Sequence, residues 1–412
     1  MSISVPEITE GVAGYSFVWT EGITVDVSRV REHLSDGSVK GEIAVRCGQN
    51  GASQLLHRAQ MNFLSTQARD KITKTLTERN KNLDWYGAME QLCHYVVDLT
   101  RRGEPVVELL GTADTPKPEY LIYPLVIKNY PNIIFGDPGS FKSAISLYCA
   151  TVLQMEWHEN PLGLPAPDRP IICLDLDWET DKETAEWTLS RMVRGHGLKL
   201  MPLYYRRCHA PLAQDIEAIR NFIDETKAEV LIMDSLAAAC GGEDLNKSGP
   251  AMAFYQALRS LNVTAIVLAH NSKDRETKMR SIIGHQMFTA QARNIWECKK
   301  VQEPDDETID IALFHRKAPP FSKISPAIGA HVEFTEDSMT ITPQSATSMR
   351  EFISEMGMKA QIRDALTDGA ATTKDIAVSL MASEASVRTT LNRMKAQGGV
   401  IQLPDKRWGL PL

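Results

Sequence analysis

The sequence predicts an α/β protein. A mostly parallel sheet with crossover helices is preceded by a smaller α+β domain and followed by a small helical domain that ends in a hairpin. Three observations predict it. Apolar strand-like runs alternate with helical patterns from about 121 to 345, as consecutive β-α-β units do. Residues 133–143, IIFGDPGSFKS, read as a buried strand, a Gly-rich turn and a Lys-Ser pair opening a helix. A chain of 412 residues also exceeds what a single core usually holds.

The first domain, residues 1–115, opens with strand-like alternation in SFVWT, ITVDV and GEIAVRC. From 55 to 103 the apolar spacing turns helical, through LLHRAQMNFLSTQARDKITKTLTERN and WYGAMEQLCHYVVDLTRR. GTADTPKPEY marks a boundary near 111–120. The central domain, 120–345, takes its strands from NIIFG, PIICLDLD, LYYRRC, EVLIMDS, TAIVLAH and TIDIALFHR. PLGLPAPDRP is a surface loop before the second of these.

Composition is that of a globular chain, 43% hydrophobic and 24% charged. A net charge of −7 means that nothing global advertises nucleic acid, although clustered Lys and Arg can still bind it locally. The seven cysteines stand singly, without a C-x-x-C pair. Buried free thiols in a reducing cytoplasm are therefore expected, rather than zinc or disulfides. No signal peptide or membrane span is expected.

IIFGDPGSFKS nearly matches the phosphate-binding pattern G-x-x-x-x-G-K-[ST], with Phe141 where the second Gly belongs. The loop of Gly136, Asp137, Pro138, Gly139, Ser140, Phe141, Lys142 and Ser143 would cradle a phosphate, every residue but Pro138 having a backbone N–H to offer, where the helix dipole also favours anions. Lys142 would meet the β- and γ-phosphates and Ser143 would complete a Mg²⁺ shell. The bland alternative is a Gly-rich turn with a surface Lys. EVLIMDS ends in Asp234, the carboxylate expected on the Mg²⁺ side, and Ser235 follows it instead of Glu. The water-activating carboxylate must therefore come from the strand ending DLDWETD: Glu179 first, with Asp177 as the alternative. His270, ending TAIVLAH, suits a γ-phosphate sensor or a strand cap. Arg316 and Lys317 end the TIDIALFHRK strand and suit either a finger offered to a neighbouring subunit or a solvated strand end. The connection 271–290 carries Lys273, Arg275, Lys278 and Arg280, and its length marks it as functional or disordered.

The last domain, 348–412, holds nine Lys/Arg against seven Asp/Glu. Three short helices, the third bearing Arg388, Arg393 and Lys395, lead into a hairpin with Lys406 and Arg407. That is the winged helix-turn-helix pattern, fit for DNA or for docking another protein.

The order of phosphate loop, DWETD strand, MDS strand, AHNSK strand and FHRK strand resembles the RecA-like ATPases over residues 120–343. More narrowly it resembles the AAA_25 group, which includes plasmid replicative hexameric helicases and many phage-encoded ATPases. The stretch PLAQDIEAIRNFIDETKAEVLIMDSLAAACGGEDLN is similar throughout. The resemblance implies ATP and Mg²⁺ as ligands, with Lys142 and Ser143 at the phosphate and metal positions. It implies Glu179 as the catalytic glutamate, Asp234 as the second metal carboxylate and His270 as the sensor. It places Arg316 and Lys317 as the in-trans finger and 271–290 as a central-channel DNA contact. The expected function is an ATP-driven motor on single-stranded DNA, assembled as a homo-oligomer such as a hexamer, in a bacterial or phage-infected cytoplasm. Two alternatives are a DNA-dependent ATPase that does not unwind (a recombination mediator or helicase loader) and a nucleotide-sensing winged-helix regulator with weak hydrolysis.

Overall fold

The computed structural model describes residues 3–11, 14–32, 36–48, 54–102, 106–272, 282–302, 306–345, 349, 352, 357–367 and 369–411. The chain divides into two compact units: Met1–Pro116 with Glu217–Asn221, and Lys117–Ile216 with Phe222–Leu412.

In the first unit β1 (Glu7–Gly11), β2 (Gly14–Val18), β3 (Ile23–Glu32), β4 (Val39–Cys47) and β5 (Gln54–Asn62) form an antiparallel meander in chain order. Helices α1 (Thr66–Arg79) and α2 (Trp85–Arg102) follow. Ile23, Val25 and Val27 of β3 alternate inward, as a half-buried strand requires. Trp85, Ala88, Met89, Leu92, Cys93 and Val96 make the buried stripe of α2. The helical pattern read from residue 55 is corrected here, since residues 54–62 are β5, paired with β4. The break is chemical: the Asn62 side chain accepts from the Leu64 N–H, and Ser65 caps α1 by accepting from Ala68 N–H.

The second unit begins with the short hairpin β6 (Tyr120–Ile122) and β7 (Val126–Ile127). There follow β8 (Pro131–Gly136), α3 (Lys142–Gln154), β9 (Cys173–Asp177), α4 (Lys182–Gly195), β10 (Tyr204–Arg207), α5 (Leu212–Thr226) and β11 (Val230–Asp234). Then come α6 (Leu236–Ala239), α7 (Ser248–Leu261), β12 (Thr264–His270), α8 (Met287–Gln291), β13 (Asn294–Val301), β14 (Thr308–Lys317), β15 (Ile328–Phe334) and β16 (Met339–Gln344). These strands make one sheet in the order β10-β9-β11-β12-β8-β13-β14-β15-β16. From β10 to β13 every pair is parallel, and from β13 to β16 every pair is antiparallel. The parallel strands β8, β9, β11 and β12 are nearly all buried, because crossover helices cover both faces. α3 is buried almost all round.

The chain ends in α9 (Met358–Ala365), α10 (Thr373–Ser379), α11 (Glu384–Ala396) and the two-stranded β17 (Ile401–Gln402) and β18 (Trp408–Gly409). Ile362, Ile376, Val387, Leu391 and Trp408 form their core. Among the described residues, no helix is long and apolar enough to cross a membrane.

Candidate functional site

In an open parallel sheet, side chains converge beyond the carboxyl ends of the strands. Register brings the ends of four neighbouring strands together here: Gly136 lies opposite His270, and Asp177 opposite Asp234.

The turn after β8 is fixed by close approach and by backbone handedness. A Cβ on Gly136 would lie 2.3 Å from the Cys298 carbonyl oxygen, so only glycine fits there. Gly139 sits at φ +71° and Phe141 at φ +74°. For glycine that conformation is free, whereas for a bulky residue it costs about 1–3 kcal/mol. Phe141 is the residue that caps α3. Its ring points away from the loop, packing edge-on against Phe334 with centroids 6.1 Å apart.

Lys142 opens α3 with its side chain folded over the turn, where Nζ donates to Gly136 O (3.1 Å), Asp137 O (2.8 Å) and Ser140 Oγ (3.3 Å). The residue is only 7% exposed. Burial pushes its amine pKa down, against the pull of the nearby Cys298, Asp234, Glu179 and Asp137. Ser143 Oγ donates to Asp234 Oδ2 at 2.6 Å. Burial also raises the Asp234 carboxyl pKa, helped by Glu179 and Asp177 and opposed by the Ser143 bond and Lys142. A hydroxyl and a carboxylate this close are hard oxygen donors of the kind Mg²⁺ takes, so these residues fit the ion.

Two carboxylates compete for the water-activating role, and their partners separate them. Asp177 is saturated. It accepts from Glu179 N–H and Thr180 N–H at 2.8 Å each, from Thr180 Oγ1, and from Tyr205 OH at 3.0 Å, with Arg207 Nη1 3.4 Å away. It shapes the turn after β9. Glu179 is held more lightly, by Ser235 Oγ and by His270 Nε2 at 3.4 Å. His270 Nδ1 is buried without a hydrogen-bond partner among the described residues. Asn271, just beyond it, donates to Asp137 Oδ1 at 2.9 Å and pins the turn. Nearby, Asp175 is buried, its Oδ1 without a hydrogen-bond partner among the described residues. Burial, and then the charges of Asp177 and Asp234, raise its pKa well above the carboxylate range.

Arg316 and Lys317 are not brought to this cluster. β14 runs antiparallel to β13, so Lys317 pairs with Ile295, which in turn faces Ile133 near the start of β8. Arg316 Nη2 and Nε reach Glu297 Oε2 at 2.5 and 2.7 Å, and its guanidinium lies 5.0 Å from the Phe314 ring centroid. Lys317 Nζ donates to the carbonyls of Thr289 and Ala290. Glu297, on β13 and 1% exposed, escapes a reading of the sequence because NIWECKKV shows no clean alternation.

The loop cations Lys273, Arg275, Lys278 and Arg280 lie outside the described residues. Arg388, Arg393, Lys395, Lys406 and Arg407 are all exposed. Arg388 is 3.6 Å from Glu384, Arg407 2.6 Å from Asp405, and Lys395 Nζ 5.9 Å from the Trp408 ring centroid.

Residues 100–276 match the family model of an AAA domain, AAA_25. No curated protein matches the chain. Among solved structures, a KaiC-like protein from the hyperthermophilic archaeon Pyrococcus horikoshii OT3 is similar at 10% identity and a TM-score of 0.37, covering 54% of this chain and 94% of that one. The Gly136–Ser143 turn at the carboxyl edge of the parallel strands lies within the segment that is similar to an AAA domain.

Proposed function

We propose that the chain is a RecA-like P-loop ATPase and a motor on single-stranded DNA, working as a homo-oligomer of the phage or plasmid replicative-helicase type. The observation that carries the catalytic part is the convergence of Lys142, the Ser143–Asp234 pair and the Glu179–His270 pair at one edge of the sheet.

The chemistry follows from these side chains. Lys142 exchanges its three loop oxygens for phosphate oxygens, and the N–H groups of the turn hold the same phosphates. Ser143 and Asp234 would hold Mg²⁺, which when bound supplies positive charge to the phosphate chain. Glu179 takes a proton from water as the water oxygen attacks the γ-phosphorus. The bond to the β–γ bridging oxygen breaks, and Lys142 stabilises the charge left on the diphosphate. His270, touching Glu179, reports whether the γ-phosphate is present. Arg316 and Lys317 serve a neighbouring subunit's nucleotide.

The DNA reading rests on Lys273, Arg275, Lys278 and Arg280 in the connection after β12, multiplied around an oligomer. The three C-terminal helices and β17–β18 act as a winged helix with Arg388, Arg393, Lys395, Lys406 and Arg407 toward DNA. Hydrolysis measured with and without single-stranded DNA, together with unwinding of a forked duplex, tests this reading. Stimulation with unwinding supports the motor, and stimulation without unwinding assigns the mediator or loader class. Slow hydrolysis that DNA does not change, with sequence-specific duplex binding, replaces the motor by a regulator. The strained Phe141 is the feature that favours that outcome.

A further inference from the structure

Phe141 occupies the left-handed conformation that the phosphate-loop pattern assigns to glycine, and something must hold it there. Its ring meets Phe334, the last residue of β15, at 6.1 Å and 81°. Over the same Phe334 ring lies the Arg191 guanidinium of α4, 5.3 Å from the centroid. Arg191 is itself fixed, since Nη2 donates to the carbonyls of Thr335 and Ser338 in the turn between β15 and β16. The rest of the β15–β16 hairpin grips α4 further along. Arg194 pairs with Asp337 at 3.5 Å, Thr340 Oγ1 donates to Gly195 O, and Ile341 N–H donates to His196 Nε2.

We infer that Phe334 is a positioning residue of the ATPase site, joining the phosphate loop to the helix that follows the catalytic carboxylate. The two halves of the site come from different β-α units. Phe141 stands directly before Lys142, and α4 is capped by Asp181, two residues after Glu179. Phe334 touches both units from the far end of the sheet, through Phe141 on one and Arg191 on the other. The stack accounts for an aromatic residue at 141: the contact offsets the left-handed strain and sets where Lys142 and Ser143 begin. This inference rests on the ATPase assignment and extends it to residues outside the nucleotide cluster.

The test compares Phe334→Ala, Phe141→Ala and the double variant with wild type in steady-state ATP hydrolysis, with Lys142→Ala as the blank. Phe334→Ala is expected to raise KM for Mg-ATP about three- to tenfold, the range of a lost aromatic pair, and to lower kcat as Glu179 loses its register. Phe334→Tyr restores both. Phe141→Ala keeps the strain and loses the ring, so it matches or exceeds Phe334→Ala, and the double variant is no worse than the worse single one, as members of one contact behave. A Phe334→Ala protein with wild-type KM and kcat, or two singles whose effects multiply in the double, overturns the inference. If Phe334→Ala does not fold, Arg191→Met decides: raised KM supports the stack and unchanged kinetics refute it. Wild-type hydrolysis no faster than Lys142→Ala defeats the ATPase assignment and this inference together, whereas a normal wild type with unaffected stack variants defeats this inference alone.

Discussion

Glu179 and Asp177 stand two residues apart on one turn, and their hydrogen bonds give them different work. Asp177 is held by backbone N–H groups, Thr180, Tyr205 and Arg207, whereas Glu179 is held by Ser235 and His270. With Glu179 as the proposed base, Glu179→Gln keeps the shape and is expected to slow hydrolysis by about 10²–10⁴-fold with nucleotide binding retained, which equilibrium binding of a fluorescent ATP analogue checks. Asp177→Asn should instead lower Tm, because it weakens the turn that carries Glu179. Asp175 titrates differently. Burial raises its folded pKa well above its unfolded value, so the folded state binds this proton more tightly than the unfolded chain does. The group therefore opposes folding above its unfolded pKa, and this cost shrinks as pH falls through the folded pKa toward the unfolded one. Asp175→Asn is expected to raise the Tm of the nucleotide-free protein at pH 7.5, with a gain that shrinks on acidification. A gain that grows on acidification would contradict the assignment. Gly136, Lys142, Ser143, Asp234 and Glu179 are legible in the sequence because each sits at a strand end whose apolar run announces it. Asp175 is not legible in that way, since inside CLDLD it reads as one more residue of a buried strand.

At the scale of elements, boundaries and long-range pairing separate what the sequence shows from what it hides. β5 reads as helix because Leu55, Leu56, Ala59 and Phe63 happen to fall at helical spacing, and only the Asn62 and Ser65 side chains mark the break. Ser65→Ala is expected to cost about 1 kcal/mol, measured as a fall in the midpoint of denaturant unfolding. β13 is hidden for another reason. It lies between β8 and β14, and no local feature predicts that its Glu297 will be buried against Arg316, a partner 19 residues away. Arg316→Ala takes the nearer cation from that buried carboxylate and leaves it Lys299 Nζ at 3.6 Å, at a cost of up to about 3–5 kcal/mol, whereas Arg316→Ala with Glu297→Gln recovers most of the loss. The Phe334 stack belongs to the same class, being visible only once β15 is folded back over the loop side of the sheet.

For the whole molecule, the question is how one chain's nucleotide site is completed. Lys317 pairs with Ile295, which faces Ile133, and Arg316 holds Glu297, which faces Phe135. If they act on a neighbour's nucleotide, mixing Lys142→Ala with the Arg316→Ala, Glu297→Gln double variant restores hydrolysis above either protein alone, because each supplies the half the other lacks. No recovery on mixing would remove them from catalysis and leave Arg316 the partner of Glu297. A mostly parallel sheet and the composition of its carboxyl edge are readable from strand patterns and motif order, whereas the order of the strands in the sheet is not. The assembly is not either, because it depends on surfaces that no apolar periodicity encodes.

The most direct test of the central claim is the steady-state ATP hydrolysis rate of wild type beside Lys142→Ala and Glu179→Gln, with and without single-stranded DNA. Wild type is expected to exceed both variants by about 10²-fold or more and to be stimulated severalfold by DNA. A wild-type rate no higher than that of Lys142→Ala under either condition would contradict it.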